Sequence, residues 1–177
     1  MKTERTSPKT LVLGLGNDLY GDDGVGIHVV NRLSKESSDF PGVEFVPCSL
    51  TGLALLDFFI GYDNLILVDT IKRQDPVPGT IHILNAMDLR HIPGPSPHYV
   101  SIPQTIEIGR QTGLKVPESI EIVAVEAVNM YQLGEGLSRE MTDALPKILE
   151  ATRAVIKKRI DYDKKGNPCT RRSSGYK

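Results

Sequence analysis

Apolar runs of strand length recur along the chain, separated by segments with helical spacing. Leu11-Val12-Leu13, Val43-Glu44-Phe45-Val46, Asn64-Leu65-Ile66-Leu67-Val68, Thr80-Ile81-His82-Ile83-Leu84 and Ile120-Glu121-Ile122-Val123-Ala124-Val125 each read as a strand. The third run is the most apolar, as expected of a central parallel strand covered on both faces. Between the runs, Val25, Ile27, Val29, Val30 and Leu33 form the apolar side of a helix reaching about Ser38. Thr51-Gly52 opens a short helix through Leu53, Leu55, Leu56, Phe58 and Phe59, which Gly61 stops. Residues Ser101 to Thr112 read as a helix capped by Ser101 and ended by Gly113. Ser138 caps a long closing helix with Met141, Leu145, Ile148, Leu149, Val155 and Ile156 on its apolar side.

This alternation predicts an α/β fold, a three-layer sandwich with a twisted, mostly parallel, mixed five-stranded sheet and helices on both faces. The connection from Asp69 to Thr80 is too short for a crossover helix, so the fourth strand should be antiparallel and near an edge. At 177 residues the chain should form one domain, residues 1–160. From Lys157 on, basic and small polar residues take over, and residues 161–177 read as a flexible basic tail.

The formal net charge of -1 argues against nucleic acid or an anionic membrane as partner. No apolar run approaches the ~20 residues that cross a bilayer. The opening MKTERTSPKT has no hydrophobic stretch of the secretory kind, so the expected compartment is the cytoplasm. Cys48 and Cys169 make no disulfide framework, and Cys48 reads as a small buried hydrophobe.

The candidate chemistry starts where the first strand ends. Gly14-Leu15-Gly16-Asn17 resembles a dinucleotide-binding turn, but the third small residue that turn needs is Leu19 here. Acidic side chains also occupy the start of the following helix, where they would compete with a phosphate. Those acids are Asp22 and Asp23, set between Gly21 and Gly24. One of them can cap the helix and leave the other for the crevice. Asp69 directly follows the most apolar strand, at the carboxyl end where open α/β sheets bind ligands. Of the histidines, His28 reads as helical, His82 as a strand residue and His91 as loop. Only His98, behind Pro93, Pro95 and Pro97, has a stiffened approach to the same end of the sheet. One histidine and two carboxylates make a three-ligand site with open positions, suited to a divalent metal in a catalytic role.

In order along the chain, these residues resemble the hydrogenase maturation endopeptidases, which remove a short carboxyl-terminal extension from the large subunit of nickel-iron hydrogenases. Leu13-Gly14-Leu15-Gly16-Asn17 with Gly21-Asp22-Asp23-Gly24-Val25-Gly26 is similar to the opening signature of that family, whose second acid is a metal ligand. Leu67-Val68-Asp69-Thr70 is similar to its strand-end acid and Ser96-Pro97-His98 to its histidine, with Thr51-Gly52 and Gly136-Leu137-Ser138 as lesser matches. The resemblance implies Asp23, Asp69 and His98 as metal-engaging catalytic residues. It also implies nickel supplied by the substrate, and a hydrogenase large-subunit precursor as partner. Asp22 would orient a ligand or cap the helix. The competing expectation is a non-catalytic α/β module that binds a nickel-containing or acidic partner protein.

Overall fold

A computed structural model describes residues 8–85, 97–130, 133–134 and 136–165, with backbone alone for residues 97–101. Strand β1 (Thr10–Leu15) is followed by a 3-10 turn at Gly21–Gly24 and helix α1 (Val25–Leu33), which tightens into a second 3-10 segment, Ser34–Asp39. Then come β2 (Val43–Cys48), a 3-10 turn at Gly52–Leu55 and the short α2 (Leu56–Phe59), β3 (Asn64–Ile71) and β4 (Ile81–Asn85). Helix α3 (Pro97–Gln111), β5 (Ser119–Glu126) and the long α4 (Arg139–Lys164) complete the elements among the described residues. The 5-stranded sheet has the order β2-β1-β3-β5-β4. All neighbours are parallel except β4, which runs antiparallel to β5 at the edge, as the short connection requires.

Side chains alternate across the sheet and feed two cores. Val12, Ile66, Val68, Val123 and Val125 meet α1 and α4 on one face. On the other, Leu11, Leu13, Leu65, Leu67 and Ile122 meet Leu55, Phe59, Ile102 and Ile106 from the α2 and α3 side. β1 and β3 are buried along their whole length, which explains their lack of polar alternation.

Gly14, near the end of β1, and Gly26, in the first turn of α1, serve packing rather than phosphate binding. A Cβ on Gly14 would strike the backbone carbonyl of Gly26, and one on Gly26 would strike the carbonyls of Leu15 and Val68. Their absence lets the first turn of α1 lie directly on the carboxyl ends of β1 and β3.

Three boundaries differ from the sequence reading. Strand β3 runs to Ile71 rather than Val68, so Asp69 and Thr70 lie inside it, beside β5. Helix α3 starts at Pro97 rather than Ser101, because proline at a first helical position lacks only an N–H that the helix does not use. Helix α4 runs to Lys164, so Lys157, Lys158 and Arg159 are helical rather than tail. Ile156 and Ile160 continue its apolar stripe there. Arg159 also reaches Glu121 at 3.2 Å and Ser119 at 2.5 Å. Cys169 and the remainder of the basic tail lie outside the described residues.

Candidate active site

The sheet opens a crevice where β1 and β3 part. Their last paired row is Gly14 with Val68, whereas β3 continues beside β5 to the row of Ile71 with Glu126. From β1 the chain crosses to β2 on one side, and from β2 it returns to β3 on the other. This is the topological switch point at which doubly wound sheets bind ligands.

The turn leaving β1 folds over that opening. Gly16 has φ 140°, and a Cβ there would strike the Asp23 carbonyl, so only glycine permits the bend. The turn is fastened to the loop between β5 and α4: the Gly21 amide donates to Gly134 O at 3.1 Å, Gly134 N to Leu19 O at 3.1 Å, and Asp22 N to Asn129 O at 3.2 Å.

Asp22 is fully buried and points to this fastening. Its Oδ1 accepts from the Ser138 amide at 2.7 Å and its Oδ2 from the Ser138 hydroxyl at 3.0 Å. That hydroxyl in turn accepts from Met141 N at 3.2 Å and caps α4. Neither acid caps α1, whose N-cap is Gly24 without a side-chain bond. The expectation that one aspartate serves the next helix is therefore corrected. Asp22 secures the amino end of α4 instead.

Asp23 and Asp69 meet at Thr70. The Thr70 hydroxyl donates to Asp23 Oδ1 at 3.1 Å, and the Thr70 amide donates to Asp69 Oδ1 at 2.7 Å. Asp69 and Thr70 are fully buried, and Asp23 is half-buried. By strand alternation Asp69 continues the face of Leu65 and Leu67, which α3 covers. Helix α3 is followed closely by β5, which starts at the amino edge of the sheet. Its first turn, with the backbone of His98, therefore lies toward the carboxyl edge. The side chain of His98 is outside the described residues. Among the described residues no group of three or more histidine, cysteine, aspartate or glutamate side chains is close enough to hold a metal ion.

The other candidates fall elsewhere. His28 is on α1, 4.0 Å from Asp18, and His91 lies outside the described residues. Cys48 is buried, which pushes its thiol pKa up although the Leu50 amide donates to the sulfur. One polar cluster was missed by the sequence reading. Glu126 is buried at the end of β5, accepts from Val77 N at 2.8 Å and from His82 Nε2 at 2.7 Å, and has Arg73 at 3.6 Å. Burial opposes ionisation of Glu126, but these partners outweigh it and hold the carboxyl below its ordinary range. The available signal was an acid closing an apolar run of sequence, as with Asp69 after Val68.

Leu19, Leu53 and Leu133 are exposed apolar side chains, at 58%, 57% and 81% exposure. No helix among the described residues is long and apolar enough to cross a membrane.

Sheet order and crevice together define a doubly wound α/β protein whose switch point carries two carboxylates that both accept from Thr70. Comparison with known proteins makes the assignment specific. The chain belongs to the hydrogenase maturation protease family, whose model matches residues 27–154, and is an endopeptidase by that membership. Asp69 and His98 lie inside the matched range. A hydrogenase 2 maturation protease of Escherichia coli is 30% identical over 122 residues, 66% of this chain and 72% of that protein. The hydrogenase expression/formation protein HupD of Rhizobium leguminosarum is 24% identical over 154 residues, 85% of this chain and 75% of the relative. Among solved structures, the hydrogenase maturating endopeptidase HybD of E. coli superposes with a TM-score of 0.70 at 25% identity, covering 85% of this chain and 93% of that one. The non-catalytic binding module is thereby set aside.

Proposed function

We propose that this endopeptidase removes the carboxyl-terminal extension of a nickel-iron hydrogenase large-subunit precursor, and that Asp23, Asp69 and His98 engage the nickel carried by that substrate. The observation that carries the reading is the junction at Thr70, which holds two carboxylates from distant segments at the switch-point crevice. Carboxylate and imidazole donors suit a divalent ion such as nickel. A metal so engaged supplies polarisation of the scissile carbonyl or a more acidic bound water. The reading puts the reaction in the cytoplasm, in keeping with Cys48 as a free thiol.

The test is incubation with nickel-loaded precursor, followed by mass measurement of the large subunit. The wild-type enzyme should shorten it at the carboxyl terminus, and Asp23→Asn and Asp69→Asn should each abolish the shortening. Wild-type rates in both variants would reject the site.

A further inference from the structure

We propose that Thr70 is a positioning residue that fixes the mutual placement of Asp23 and Asp69, an inference that rests on the reading of those acids given above. The two acids reach the crevice from different elements: Asp69 is part of β3, and Asp23 rides on the turn before α1. By strand alternation the Asp69 side chain belongs to the α3 face, whereas Thr70 belongs with Ile66 and Val68 to the α1 face. A residue that joins both must therefore donate from its backbone to one acid and from its side chain to the other. Thr70 does this, at 2.7 Å from the amide and 3.1 Å from the hydroxyl.

The choice of threonine follows from the site. A strand interior favours a β-branched side chain, whose branching at Cβ restricts χ1 and so narrows the directions open to the hydroxyl. Valine would keep the shape and lose the donor, and serine would keep the donor and lose the methyl. Thr70 is 0% exposed, so bulk water is not at hand to replace its hydroxyl. Without that donor, the turn carrying Asp23 loses the hydroxyl tie that links it to β3. Thr70 touches no reacting atom. It acts through the acids.

The experiment measures cleavage of nickel-loaded precursor, together with Ni²⁺ binding to the free enzyme by calorimetry and thermal unfolding. Thr70→Val should lower kcat/KM by roughly 10- to 100-fold, the loss expected for one hydrogen bond to a charged group, and should weaken Ni²⁺ binding. Its melting temperature should stay close to that of wild type. Thr70→Ser and Thr70→Ala both lack the methyl and differ only in the hydroxyl, so Ser should retain both activity and Ni²⁺ binding and Ala should lose them. Equal activity and binding in the Ser and Ala variants would overturn the inference, whether or not the Val variant folds. Full activity in Thr70→Val beside an inactive Asp23→Asn would overturn it while leaving the site intact. Full activity in Asp23→Asn and Asp69→Asn would instead sink the parent reading.

Discussion

Replacing Gly26 by alanine sets two physical effects of opposite sign against each other. Gly26 is the second residue of α1, and helix propensity alone favours alanine there by about 1 kcal/mol. The new Cβ, however, would meet the carbonyl oxygens of Leu15 and Val68, with Leu15 N at 3.0 Å. These are backbone atoms at the ends of two buried strands, so no side chain can swing aside. To restore ordinary separations of about 3.5 Å or more, α1 must retreat by roughly 1 Å. Overpacking of this kind typically costs ~1–3 kcal/mol. The retreat also loosens Val25, Val29 and Val30, each fully buried against the sheet. Repulsion outweighs propensity, and the net expectation is a destabilisation of about 1 kcal/mol, or a melting temperature about 2–4 °C lower at this chain length. Asp23 sits three positions ahead of Gly26, on the turn that enters the helix. A shift of about 1 Å at a reacting centre typically costs on the order of 100-fold in rate. Thermal unfolding by circular dichroism and precursor cleavage well below the transition test both numbers. A melting temperature at or above wild type with cleavage within about twofold would refute the packing argument.

Two further outcomes follow from buried carboxylates. Asp22→Ala leaves the Ser138 amide and hydroxyl without their acceptor, so unfolding in urea should show a loss of about 2–4 kcal/mol. A midpoint equal to that of wild type would mean that α4 does not depend on Asp22. The Glu126 carboxyl is held low, so its stabilising effect is present above the unfolded glutamate value of about 4.3 and is lost as pH falls through the folded value. The stability gap between wild type and Glu126→Gln should therefore shrink as pH drops below about 4.3. A gap that does not change with pH would contradict this.

The sheet was legible because burial on two faces removes polar alternation, and β3 shows this most plainly. The antiparallel edge strand followed from chain length alone. Asp69 was readable because an acid closing an apolar run of sequence is costly to bury unless it has a purpose, although the strand itself continues to Ile71. The start of α3 was missed because Pro97 reads as a breaker, although a first helical position has no use for its missing N–H. The end of α4 was missed because lysines and arginines dominate the local composition, while Ile156, Ile160 and the seated Arg159 carry the helix onward. The role of Asp22 was beyond local reasoning, since its partner Ser138 lies 116 positions away. Thr70 looked like any β-branched strand residue until a turn from another part of the chain was laid against it.

That distance has a bearing on when the protein becomes competent. The segment bearing Asp23 is framed by Asn129, Gly134 and Ser138, all of which leave the ribosome more than a hundred residues later. Pairings so remote in sequence form only after the intervening chain has been threaded into place. A nascent chain thus carries Asp22 long before Ser138 exists to hold it, and the turn is fastened only once the loop ahead of α4 and the start of that helix are in place.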